Sequence, residues 1–207
     1  MKLNEEMALT GDFRKAYVTE VIRNRRSTYA DEFMKKELPD ELLQEVLTNA
    51  TWAPTHKMTE PWRFIVFKGA RLAEYGAFMV DYYRDYYQKK LCADDLQRKL
   101  LYLRDYPKNA ACLIGIVLAK SYRPDLPEWE EIAAVASAVQ NMAITCAAHG
   151  IGNYWSTVDA AIAYVAKQGL DPNEQALGLL YMGYCPPGYK GAAKKRTDIN
   201  QKVSYLQ

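Results

Sequence analysis

The chain has 207 residues and a net charge of +2, enough for one domain with a full core and cramped for two. Hydrophobic residues make up 49% and charged residues 25%, an ordinary globular balance that calls for neither nucleic acid nor an acidic membrane surface as partner. Any anion site must therefore come from local placement of charge. The start, Met1-Lys2-Leu3-Asn4-Glu5-Glu6, has two acids where a signal peptide needs a basic opening and an apolar run.

A first helix is expected from Asp12 to Asn24, with Phe13, Tyr17, Val21 and Ile22 on one face and Gly11-Asp12 as its cap. A second follows Pro39, which suits a first helical turn, with Leu42, Leu43, Val46, Leu47 and Ala50 as its buried stripe. Ala53 to Pro61 reads as a loop kept irregular by two prolines, and Arg63 to Phe67 as a compact strand. Arg71 to Leu91 reads helical, with Leu72, Tyr75, Met79, Tyr82 and Tyr86 at three- and four-residue steps, and another helix is expected from Asp94 to Arg104.

Ala111 to Ala119 is an apolar run of the kind found in a central strand covered on both faces, and it is far too short to cross a bilayer. Glu130 to His149 is nearly apolar all round, which places it in a core or a subunit interface. Asn153 to Thr157 predicts a short strand, Ala160 to Gln168 a short helix, Ala176 to Tyr184 a buried strand, and Val203 to Leu206 an edge strand. Helices dominate with strands scattered between them. The pattern suggests an α+β or mixed α/β protein, one domain over residues 1–207, without the alternation of a doubly wound sheet.

Four cysteines, Cys92, Cys112, Cys146 and Cys185, form no C-x-x-C pair. That spacing gives neither a disulfide framework nor a zinc knuckle and fits reduced thiols in the cytoplasm. Arg25-Arg26-Ser27 closes the first helix. Two guanidiniums and a hydroxyl can converge on a phosphate, or the two cations can simply favour the negative end of the helix. His56, one of two histidines, sits in a proline-bounded loop with no cluster of His, Cys or acidic partners in sequence, so it is a ligand donor or a structural hydrogen-bonding group rather than a metal ligand.

Gly150-Ile151-Gly152-Asn153-Tyr154-Trp155 places Trp155 at the third glycine of a dinucleotide fingerprint and follows a helix instead of opening one, which excludes a Rossmann site. Lys194-Lys195-Arg196 could cover an anion or stand as a solvated basic turn, and Tyr82, Tyr83, Tyr86 and Tyr87 could line a lid or serve as core and surface. No G-x-S-x-G, Walker loop or H-E-x-x-H is present.

The order of these pieces carries more than any one of them. Arg25-Arg26-Ser27, then Ala53-Pro54-x-His56-Lys57-x-x-x-Pro61-Trp62-Arg63-Phe64, then Gly150-x-Gly152-x-x-Trp155, then Leu177-Gly178-x-x-Tyr181-x-Gly183 together resemble the nitroreductase family, in its small YdjA-like branch, over roughly Val21 to Gly183. The resemblance implies an α+β fold with a central mixed or antiparallel sheet flanked by helices, an intertwined homodimer and FMN at the interface. It further implies that Arg25, Arg26 and Ser27 hold the flavin phosphate and ribityl end, and that Trp52 and His56 contact the flavin from the second subunit. Trp155, Ser156 and Thr157 would line the ring or phosphate end, with Lys195 and Arg196 at the phosphate.

Trp52 departs from that branch, which carries Arg there, and Ser156 stands where the branch carries Arg or a small polar residue. The implied activity is hydride transfer from NADH or NADPH to small acceptors such as nitroaromatics and quinones, in ping-pong fashion, with no catalytic side chain because the flavin N5 does the chemistry. A protein that stores FMN without turnover, or a flavin dehydrogenase or dehalogenase on the same fold, are the alternatives.

Overall fold

The computed structural model describes residues 11–189, 191 and 195–206, with side chains from residue 15 onward. Helices α1 (Gly11–Asn24), α2 (Asp40–Ala50), α3 (Ala70–Gln88), α4 (Ala93–Asp105), α5 (Glu128–Ala148) and α6 (Asp159–Ala166) accompany strands β1 (Trp62–Phe67), β2 (Cys112–Ala119), β3 (Ile151–Ser156) and β4 (Glu174–Tyr184). The strands form one sheet in the order β1-β2-β4-β3, antiparallel throughout. This is an α+β arrangement.

The sheet is the middle of three layers, and β2 shows why. Cys112, Ile114, Ile116 and Leu118 point to one face and pack with α2 and α5, while Leu113 and Val117 point to the other and pack with α3, α4 and α6. Alternate positions of a strand face opposite ways, so a strand covered on both sides must be apolar at every position. In α5, Val135, Ala138, Val139, Met142 and Cys146 bury against the sheet. By length and composition α5 could also cross a membrane, but half of its apolar window is buried inside this fold. Its opposite side, with Trp129, Ile132, Ala133 and Ala136, is exposed.

Three glycines set close approaches. Gly152 and Gly183 are paired across β3 and β4, and the Phe33 ring lies on that pair, so that a Cβ at Gly183 would come within 2.5 Å of it. Gly152 in β3 and Gly183 in β4 therefore admit a side chain of this same protein. At Leu177 the ladder skips a residue, because Ile116 faces Gly178 while Val117 faces Ala176. Gly178 takes φ +116 there, with the Ser156 carbonyl where a Cβ would be. A bulge of this kind turns one carbonyl out of the ladder.

Two expectations change. Pro39 stands before α2 as its cap residue, with its carbonyl accepting from Leu43 N at 3.1 Å, and not inside the first turn. Val203 to Leu206 is not an edge strand: a short turn at Ile199–Gln201 precedes it, and the segment runs exposed with Leu206 at 97%. Its apolar residues find no sheet edge among the described residues. The Tyr82–Tyr87 stripe divides as core plus surface: Tyr83 and Tyr87 are half-buried against the core, Tyr82 and Tyr86 exposed.

Candidate functional site

Residues Asn24 to Thr28 leave the end of α1 and run beside the start of β3, with Ser27 bridged to Asn153 and Thr28 N donating to the Asn153 carbonyl at 3.0 Å. Between them, at the end of α5, lies a cavity of about 210 Å³ lined by Arg25, Arg26, Thr28, Asn153, Cys185 and Tyr189 among others, with no carboxylate in its wall. The Arg26 Nε is buried and has no hydrogen-bond partner among the described residues, while its Nη1 donates to the Arg25 carbonyl at 2.5 Å. Burial, and then the positive charges of Arg26 and Arg196, push the Arg25 guanidinium below its ordinary value.

Cations gathered without a counter-charge, one of them with an unmet buried donor, are a site that an anion completes. An adjoining cavity of about 400 Å³ is lined by Ile22, Arg23, Arg26 and Arg196. Arg196 is thus brought to the helix arginines from the far end of the chain. Lys195 is exposed and only its carbonyl is engaged, accepting from Arg196 Nη1 at 2.7 Å; Lys194 lies outside the described residues. Ser27 is exposed, and Thr28 takes the cavity wall beside it.

β3 leads away from this cavity. From Gly152 to Thr157 the strand covers about 16 Å. Trp155 packs on the α2–α5 side, and its Nε1 donates to the Leu177 carbonyl at 3.0 Å. The indole thereby satisfies the carbonyl that the bulge displaces and presents a wall with no free donor. Ser156 is half-buried and Thr157 exposed at its end.

Trp52 and His56 stand elsewhere. Trp52 is 82% exposed just after α2. His56 Nδ1 pairs with the Glu130 carboxylate, and Lys57 Nζ with Asp125, so the loop is fastened to the start of α5. Between these fastenings Lys57, Met58 and Glu60 all take positive φ, 52°, 53° and 44°. Three such non-glycine residues in four positions hold strain that the surrounding contacts must maintain. Glu130 and Ala147, at the two ends of α5, are separated by about 25 Å of helix. Glu130 holds His56 and Ala147 lines the arginine cavity, so one chain keeps these two groups farther apart than the length of one FMN molecule.

Sequence spacing missed Thr28, Asn153 and Tyr189 at the cavity, and Glu130 and Asp125 as partners of the loop. Thr28 directly follows Ser27 and was passed over, whereas the others are brought in by contacts distant in the chain that no local pattern marks.

An antiparallel four-stranded sheet between helical layers, with an acid-free arginine cavity where α1, α5 and β3 meet, defines an α+β protein built to take an anionic ligand. The model of the nitroreductase family matches residues 22–184, and the chain belongs to that family. YfhC of Bacillus subtilis, named as an NAD(P)H nitroreductase, is 26% identical over 194 residues, covering 90% of this chain and 93% of the relative. YdjA of Escherichia coli K12, named likewise, is 26% identical over 166 residues, covering 79% and 86%. Among solved structures, a nitroreductase-like protein from Bacillus cereus superposes with a TM-score of 0.74 at 23% identity, covering 92% of this chain and 96% of that one. A nitroreductase from Desulfovibrio desulfuricans in complex with FMN gives 0.65 at 19% identity, covering 92% and 96%.

Proposed function

We propose that this chain is a single-domain, cytoplasmic FMN-dependent oxidoreductase, working as a homodimer, that takes a hydride from NADH or NADPH and reduces small acceptors such as nitroaromatics or quinones. The observation that carries the reading is the arginine cavity: an unpartnered buried guanidinium nitrogen among clustered cations, with no acid in the wall. The names of YfhC and YdjA support the donor and the activity, and the FMN in the Desulfovibrio and Bacteroides fragilis nitroreductases supports the cofactor.

Bound FMN supplies the hydride chemistry at its ring. Arg25 and Arg26 hold the phosphate through charge-assisted hydrogen bonds, Arg196 adds charge, and Ser27 and Thr28 meet the ribityl end. Lys195 stands at the rim. Trp155, Ser156 and Thr157 line the way from phosphate to ring, and Trp155 excludes water. His56 belongs to the site of a second copy, because its partner Glu130 lies about 25 Å along α5 from the cavity of its own chain, and the exposed Trp52 joins it there, as the family resemblance implies. The exposed side of α5 and the exposed apolar tail, Val203 to Leu206, support association with that copy. With no Rossmann motif in the chain, donor and acceptor share one site in turn, and ping-pong kinetics follow.

Purified protein is expected to be yellow, to release FMN on heating, and to oxidise NAD(P)H with a nitroaromatic or quinone, giving parallel double-reciprocal lines. A colourless protein that takes up no added FMN overturns the reading. Bound FMN without turnover reduces it to a flavin-binding protein.

A further inference from the structure

One set of side chains has no part in this reading. The sequence holds 16 tyrosines against 5 phenylalanines, and several of those tyrosines are buried together on the α3–α4 side of the sheet. Burying a phenol in place of a phenyl costs free energy unless its hydroxyl is satisfied, so packing alone does not account for the choice.

The rings form a continuous series. Tyr29 lies 5.0 Å from Tyr154 between centroids, Tyr154 stacks on Tyr181 at 4.6 Å and 19°, Tyr181 is 5.7 Å from Tyr106, and Tyr106 is 5.3 Å from Tyr102. The hydroxyls are connected too. Tyr106 and Tyr154 share a hydrogen bond of 2.9 Å, Tyr106 also accepts from Ala30 N, and Tyr102 donates to Asp31 Oδ2 at 2.9 Å.

The interior is dry, Tyr181 being 2% exposed, while both ends reach solvent, Tyr29 at 58% and Tyr102 at 45%. The Tyr29 end starts one residue along the chain from the arginine cavity, since Tyr29 follows Thr28 and Tyr154 follows Asn153, both in the cavity wall, while the rings themselves lie on the α3–α4 side.

We propose that Tyr29, Tyr154, Tyr181, Tyr106 and Tyr102 form a relay that carries one-electron oxidising equivalents from the arginine cavity to the protein surface at Tyr102. The incoming oxidant is of the oxygen- or nitrogen-centred radical class. It gains one electron and is reduced. The electron is drawn along the rings, and the hydrogen bond between Tyr106 and Tyr154 lets those two phenols share a proton as it passes. At the exit the Tyr102 phenol loses one electron and its O–H proton, the Asp31 carboxylate takes the proton, and a phenoxyl radical stands at the surface within reach of a soluble reductant. The relay protects whatever sits at the cavity by moving the damage outward.

The test does not depend on bound flavin. Cys92 is the exposed thiol and Cys185 lines the cavity, whereas Cys112 and Cys146 are buried. In full-length protein carrying Cys92→Ser, a ruthenium photo-oxidant is attached to Cys185 and flashed with a cobalt(III) ammine electron acceptor. Radicals are captured with a nitroso spin trap and mapped by mass spectrometry as the ratio of adduct at Tyr102 to adduct at Tyr29. The relay predicts a clear Tyr102 adduct that falls several-fold in Tyr106→Phe and in Tyr154→Phe. It also falls in Asp31→Asn, which lacks the proton acceptor, and holds in Tyr164→Phe, whose ring lies off the path. Melting curves identify the variants that fold, and either relay variant suffices. An unchanged ratio in a folded Tyr106→Phe or Tyr154→Phe protein overturns the relay, and the flavin reading stands or falls separately by the visible spectrum.

Discussion

The two arginines that end α1 show how a local cluster becomes a binding group. Adjacent cations at a helix end are unremarkable in a sequence. Folding brings Arg196 toward them and leaves the Arg26 Nε buried without an acceptor. A charge-assisted hydrogen bond contributes about 1.5–3 kcal/mol, so Arg26→Ala should weaken FMN roughly ten- to a hundredfold. Riboflavin, which has no phosphate, should lose far less in the same titration by flavin fluorescence. Equal losses would make Arg26 a structural residue. This half of the site was legible in the sequence because its residues are neighbours. The partners Asn153 and Glu130 were not, since pairing across 70 or more residues, as between His56 and Glu130, leaves no local trace. His56 itself stood out only through its proline-bounded loop and the family order.

Among the elements, periodicity was a good guide wherever burial is one-sided or complete. β2, α5 and β4 begin and end within about two residues of their expected places, because a covered strand or core helix must be apolar at regular positions. The tail failed that test: Val203 to Leu206 was expected as an edge strand, yet no edge receives it among the described residues. The bulge at Leu177 was equally hidden, although Gly178 is its mark.

Gly183 carries a clear consequence. A methyl group there would meet the Phe33 ring at 2.5 Å, and Phe33 is itself buried. Overpacking of this kind costs about 1–3 kcal/mol, so Gly183→Ala should lower the denaturation midpoint with little change in slope. A wild-type midpoint would mean the ring moves freely.

The sheet also has an electrostatic clasp. Arg63 at the start of β1 grips the Glu174 carboxylate at the start of β4 through two hydrogen bonds, spanning the end of β2 between them. The first of these effects, the Arg63 hydrogen bond, holds the Glu174 carboxyl below its ordinary range. A carboxylate depressed in the folded state adds stability that is fully present above the unfolded value, about 4.3, and that is lost as pH falls through the folded one. Wild-type stability should therefore fall more steeply than that of Glu174→Gln below about pH 4.3, by chemical denaturation at successive pH values. Parallel profiles would show that the clasp is indifferent to protonation.

At the scale of the whole molecule, α5 is a rod with one side in the core and the other uncovered. Ala136 is exposed on that open side, so Ala136→Glu should leave the single chain intact and place charge on the face proposed for the second copy. Light scattering should give a monomer mass at concentrations where the parent is a dimer, with a dissociation constant raised at least about tenfold, or 1.4 kcal/mol. An unaltered dimer would move the interface to another face. The rod has a further consequence. When one chain grips the phosphate and the other covers the ring, occupancy and association become a single coupled equilibrium. By reciprocity, whatever factor the ligand adds to subunit affinity, the second subunit adds to ligand affinity. Serial dilution of the yellow protein should then shed flavin at the concentration where the particles halve in mass, and saturating FMN should shift that point downward.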